Sequence, residues 1–105
     1  MLLVNLTPHS INVNGNNIPS DKDSYTIPRV DMNRTQVNSI HGIPIYNNVI
    51  GEVKDLPEEN DGVFYIVSAL VRLACPHRKD LLSPGNLIRD NDGNIIGCDG
   101  FDSNQ

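Results

Sequence analysis

The sequence predicts an α+β fold, mainly β, arranged as a small antiparallel sheet or partly open barrel with one short buried helix. Three observations carry this reading. Short apolar or alternating runs are separated by turn pairs such as Asn14-Gly15, His41-Gly42 and Asp92-Gly93. No piece of the first half keeps helical spacing over three turns. One stretch alone, residues 68–75, joins a capping serine, good helix formers and a proline stop.

Taken in order, residues 2–6 form an apolar run that Thr7-Pro8 ends. Residues 10–13 alternate, Asn14-Gly15 supplies a tight hairpin turn, and Ile18-Pro19 closes the return. Residues 20–24 read as a polar connector. Residues 25–30 read as a further strand, with Pro28 pointing to an edge or an early end. Residues 31–36 are polar and read as a loop. Residues 37–40 and 43–53 are strands about the His41-Gly42 turn, with Gly51 as a bulge. Residues 56–62 form a loop by every local rule.

The second half changes character. Residues 63–67 are continuously apolar, the mark of a strand buried on both faces. Ser68 then caps a helix of about two turns, stopped by Pro76. A single long strand over 63–75 competes with this, but Ala69, Leu70, Leu73 and Ala74 favour the helix. Residues 86–89 and 94–98 flank Asp90-Asn91-Asp92-Gly93 as a last hairpin. Residues 99–105 read as a frayed polar tail.

A length of 105 residues fits one domain, 1–105, with a thin core. An apolar share of 38% sharpens that expectation, and a homo-oligomer is the natural remedy. The net charge of -5 argues against general nucleic-acid binding and against an anionic membrane surface. Cys75 and Cys98 are too few and too far apart for a disulfide framework or a zinc site. With no leader-like start and no apolar run of membrane length, the expected compartment is the cytoplasm. Abundant Asn and Ile beside scarce Ala suit an AT-rich genome, that of a low-GC bacterium or its phage.

The charge is uneven. Arg72, Arg78, Lys79 and Arg89 supply four of the eight basic residues within eighteen positions, against one acid, Asp80. That window carries +3 (four minus one) and the remainder -8 (four minus twelve). A positive island in an acidic chain faces something negative. The same window holds Ser68 at a helix start, the loop of Ser83 and Asn86 with its neutral hydrogen-bonding groups, and His77 or the nearby Tyr65 for stacking on a base. The candidate ligand site is therefore Ser68, Arg72, His77, Arg78, Lys79, Ser83, Asn86 and Arg89, with arginine suited to pairing two oxygens at once. The bland alternative makes Ser68 a cap, Arg78 to Asp80 a solvated turn, and Arg89 with Asp90 an ordinary hairpin pair.

Catalysis has less support. Ser68 follows a strand and opens a helix, as in a nucleophile elbow, but both glycines of that elbow are missing. His9, His41 and His77 are available bases, and Cys75 on an apolar helix reads as core. No cofactor motif and no metal-ligand spacing occurs. Asp90 to Asn94 lacks the glycine position and closing glutamate of a calcium loop, and reads as a turn.

Several segments together resemble a family of short uncharacterised proteins from phages, prophages and bacteria. They are Leu6-Thr7-Pro8-His9, Gly42-Ile43-Pro44, Gly51-Glu52-Val53, Leu56-Pro57-Glu58, the run from Tyr65 to Val71, Arg78-Lys79-Asp80, Ser83-Pro84-Gly85, and the hairpin from Arg89-Asp90 to Gly97-Cys98. The resemblance spans nearly the whole chain and implies no chemistry. It implies a small accessory protein of a mobile element, in the cytoplasm of a bacterial host. In that setting the expected function is a non-enzymatic, oligomeric protein that sequesters a small phosphate-bearing ligand, such as a nucleotide-type immune signal. The alternative is an acidic inhibitor of a host defence complex, acting through the first half and residues 56–61. A third reading is a small Ser/His hydrolase.

Overall fold

A computed structural model describes residues 1–105. In chain order its strands are β1 (Leu2–Asn5), β2 (Ile11–Val13), β3 (Asn16–Ile18), β4 (Arg29–Ile40), β5 (Ile43–Lys54) and β6 (Val63–Ile66). After the helix α1 (Ala69–Ala74) come β7 (Leu81–Pro84), β8 (Leu87–Arg89), β9 (Ile95–Cys98) and β10 (Phe101–Ser103). The chain is thus mainly β with one short helix. The strands form three separate sheets, ordered β1-β6-β7-β10, β3-β2-β9-β8 and β4-β5, and none closes into a barrel.

The sheets are mixed, where the local turn signals suggested antiparallel pairing. β6 runs parallel to β1 on one side and to β7 on the other, and β10 returns antiparallel to β7. The reason lies in the connections. A parallel neighbour needs a long crossover. The β4–β5 hairpin lies within the link from β1 to β6, and α1 within the link from β6 to β7.

The core sits on one face of this first sheet. Val4, Leu6, Tyr65, Val67 and Leu81 meet Val71 and Cys75 of the helix region, with Val30, Val53, Leu56 and Val63 packed around them. β6 is the continuous apolar run that the sequence marks as doubly covered, and Tyr65, Ile66 and Val67 are all buried. The helix covers the core with one side only: Val71 is buried, while Leu70 and Leu73 remain about half exposed. Only 12 of 105 residues are buried, so the core is thin, and polar contacts order much of the chain around it.

Those contacts are visible at the free edge of β1. Asp21 N–H donates to the Asn5 carbonyl at 2.9 Å, and Asn5 N–H donates to the Asp21 carboxylate at 2.8 Å. The buried Asn5 amide also donates to the carbonyls of His9 and Ile18, fixing the following loop against the strand. The second sheet meets the first where Gly85 N–H donates to the Gly100 carbonyl and Asp99 N–H to that of Asn86.

Three segments differ from the local reading. Residues 31–36 belong to β4, because register against β5 supplies their hydrogen bonds while both faces stay solvated, which suits polar side chains. Residues 25–28 are irregular, and the strand begins only after Pro28. The polar tail holds β10, anchored by the half-buried Phe101 opposite Pro84.

The third sheet is an arm. Its two 12-residue strands are almost wholly exposed beyond the base formed by Val30 and Val53. The radius of gyration is accordingly 16.5 Å, against about 13 Å for a compact chain of this length. No helix is long and apolar enough to cross a membrane.

Gly97 tests the packing of β9 on β2. A Cβ there would lie 2.7 Å from the Asn12 carbonyl oxygen, closer than backbone tolerates. Gly97→Ala is expected to lower unfolding stability by about 2 kcal/mol, read from the midpoint of a urea titration.

Candidate anion site

The window rich in basic residues spans the end of β6, the helix, the turn after it and β7. Ser68 caps α1, its Oγ accepting from Val71 N–H at 3.3 Å. The helix has six residues, too short to present a usable dipole, and the Ser68 hydroxyl is engaged in capping with no histidine bonded to it. Its capping role follows from residue type: serine oxygen satisfies an amide that the first turn leaves open.

Arg72 leaves the helix toward β7. Its Nε donates to the Ser83 hydroxyl at 2.8 Å, and its Nη1 to the carbonyl of Ser103 and the Oδ1 of Asn104. Ser83 is fully buried and serves this contact. Lys79 reaches the same place from the turn, its Nζ donating to the Asn104 carbonyl at 2.7 Å and to that of Pro76 at 3.3 Å. Asn104 therefore stands between two cations. Its own amide donates to the carbonyls of Arg72, Cys75 and Arg78, closing the helix C-terminus that Pro76 leaves without a continuing turn.

Neither Arg72 nor Lys79 has a carboxylate within ion-pair distance; the ion pairs are Lys54–Asp31, Arg78–Glu59 and Arg78–Asp80. These two positive charges, held only by neutral oxygens, converge on one residue, Asn104. Arg72 Nη2 makes no internal hydrogen bond, leaving donors open to solvent. Exposed His77 lies in the intervening turn.

The other predicted residues are placed elsewhere or used internally. Arg78 forms a two-point contact with Asp80 at 2.9 and 2.8 Å and donates to the Pro57 carbonyl at 2.8 Å. Both side chains of that pair are 11% exposed. The hydrogen bond from Asp80 holds the Arg78 guanidinium above the ordinary arginine range; burial opposes this, and the charges of Asp80 and Glu59 reinforce it. Since the shift is upward, the stability tied to it is present below the ordinary arginine value and is lost as pH rises through the folded one. Asn86 bonds to Asp99 and Arg89 to the Gly93 carbonyl, both on the second sheet's side of the molecule. In that last turn Asp90 Oδ1 accepts from Asp92 and Asn94 N–H, a hairpin turn, as its composition indicated.

The structure thus joins Arg72 to Ser83 and, through Asn104, to Lys79, with His77 in the adjoining turn, whereas Asn86 and Arg89 bond to Asp99 and Gly93. The residue that sequence reasoning missed is Asn104. Nothing local marks an asparagine in a polar tail as a helix clamp.

No protein-family model matches the chain, and neither a curated relative nor a solved structure does.

Substitution separates structural from free cations. Arg78→Ala strands the Asp80 carboxylate in a nearly buried position and is expected to cost about 3 kcal/mol of unfolding stability. Arg89→Ala should stay within about 0.5 kcal/mol of wild type. Asn104→Ala should cost about 2 kcal/mol through the carbonyls it leaves open. Chemical denaturation of the three variants checks all of these.

Proposed function

We propose that this chain is a non-enzymatic binding protein that captures a small phosphate-bearing ligand, a nucleotide-type signal in the cytoplasm of a bacterial host. The observation that carries the reading is the unneutralised pair Arg72 and Lys79, both donating to Asn104 and neither facing a carboxylate. A phosphate offers several oxygens to such a pair, and charge-assisted contacts to it are roughly twice as strong as neutral ones. Arg72 Nη2 and the exposed Lys79 ammonium provide the donors, and His77 a ring to stack on a base. Arg78 acts through the fold, holding the turn that presents Lys79.

A second reading rests on the loop of Glu58, Glu59 and Asp61. All three are exposed, and only Glu59 has a basic partner, so the loop presents negative charge to a protein that normally grips nucleic acid.

Thermal-shift titration with mono-, di- and cyclic nucleotides and ADP-ribose derivatives tests the ligand reading. A ligand at 100 times its dissociation constant adds about 2.7 kcal/mol, a rise of several degrees for so small a domain. Lys79→Glu should weaken the ligand that registers by more than about tenfold, with little change in the unliganded melting point. Absence of any shift, or full affinity in Lys79→Glu, would overturn the assignment. Loss of host-protein capture on charge reversal at Glu58 and Asp61 would favour the second reading.

A further inference from the structure

The groups that hold Arg72 and Lys79 together come from the segment 103–105. Arg72 Nη1 donates to the Ser103 carbonyl at 3.3 Å and to Asn104 Oδ1 at 3.1 Å. Lys79 Nζ donates to the Asn104 carbonyl at 2.7 Å. Three oxygens of two consecutive residues thus sit on two cations, and all three are neutral amide oxygens. A phosphate offers acceptors to the same donors, and its charge-assisted contacts are about twice as strong. The chain's own segment therefore fills, with neutral groups, the places that an anion would take.

A different set of contacts keeps it there. Asn104 Nδ2 donates to the carbonyls of Arg72, Cys75 and Arg78 at 3.0, 3.0 and 3.1 Å. Before it, β10 pairs with β7 over Phe101 to Ser103 alone, at the edge of the sheet. After it, the Gln105 side chain donates to the Lys79 carbonyl at 3.3 Å. Ser103 and Gln105 are exposed, and of the three residues only Asn104 is partly buried. One side chain thus docks the segment. Its oxygen meets a cation, and its nitrogen meets the helix end.

We infer that Asn104 is a tethered competitor for the anion site, so that docking of residues 103–105 and full capture of a phosphate group exclude each other. This rests on the reading of Arg72 and Lys79 as an anion site. A phosphate first reaches the outward donors, Arg72 Nη2 and the third N–H of Lys79. To be gripped by both cations at once it must displace the Asn104 oxygens, since Arg72 Nη1 and Lys79 Nζ both aim at that residue. Arg72 Nε keeps its bond to the buried Ser83 hydroxyl, so the guanidinium holds its place while the segment leaves.

The exchange costs the amide clamp on the helix end. Observed affinity is then the intrinsic affinity reduced by the fraction of molecules whose segment is undocked. The competitor also selects for charge. A neutral ligand gains nothing over the oxygens it would replace, whereas an anion does.

Two substitutions separate the competitor from the clamp. Asn104→Ala and Asn104→Asp both remove the Nδ2 donor, so both should lower unfolding stability. Their effects on anion binding should diverge. Titration of the full chain with inorganic phosphate and pyrophosphate at constant ionic strength, followed by NMR of backbone and side-chain amides, reads affinity and docking together. In wild type, saturation should move the Asn104 side-chain amide and the Gln105 backbone amide toward unstructured values, while the signals of β6 stay in place. Asn104→Ala should bind at least about threefold more tightly, because the competitor loses its anchor. Asn104→Asp should bind at least about tenfold more weakly, because its carboxylate neutralises the pair. A purely structural asparagine would weaken binding in both variants. Saturation that leaves the Asn104 and Gln105 amides unmoved, or weakening in both variants, would overturn the competitor and leave the anion site standing. Failure of either anion to shift the signals of Arg72 and Lys79 would overturn both.

Discussion

The rest of the structure hangs on the strand Tyr65–Val67, hydrogen-bonded on both edges and covered on both faces. Leu6 N–H donates to the Ile66 carbonyl on one side, and Val67 N–H to the Leu82 carbonyl on the other. In a chain with so few buried residues, this strand is the one place where backbone pairing and apolar burial reinforce each other fully. β1, β7 and the helix are all positioned by it, and through β7 it sets the direction of Arg72. The polar clamps at Asn5 and Asn104 then do at the periphery what a larger core would do elsewhere. They convert loops into ordered surface by satisfying several backbone groups with one side chain.

Much of this was legible in the residues. The Asn14-Gly15 and Asp92-Gly93 turns, the capped helix after a continuous apolar run, and the stop at Pro76 are local signals with local causes. What was not legible depends on contacts distant in sequence. The polar stretch 31–36 has no periodicity because neither face of the arm meets the core there. Its strand character comes from β5 alone. Nor does any local feature disclose parallel pairing. Turn chemistry reports antiparallel neighbours and is silent about crossovers.

The site shows the same division. A sequence window counts charges but not their partners. Arg78 contributes to the count as fully as Lys79, yet its guanidinium is committed to Asp80 and Pro57, and Ser83 to Arg72. Only the placement of acids tells a cation that supports the fold from one that faces solvent. Within the basic window that test leaves Arg72, Lys79 and Arg89, of which the first two share a neighbour, Asn104. The clamp between them comes from a segment twenty-five residues beyond Lys79 in the chain.

The pairing of β1 with β6 has a kinetic consequence. Leu2 lies opposite Val63, sixty-one positions along the chain, and the arm and its loops occupy most of the interval. Loop closure of that length must precede any reward from the contact, which places such topologies among slow folders. The arm, by contrast, closes on itself through the two residues His41 and Gly42. During refolding the arm's local pairing need not wait for that closure, and its exposed Ile40 and Ile43 stand in water while the body is still unstructured. Dilute, cold conditions should therefore favour recovery of the native chain over aggregation.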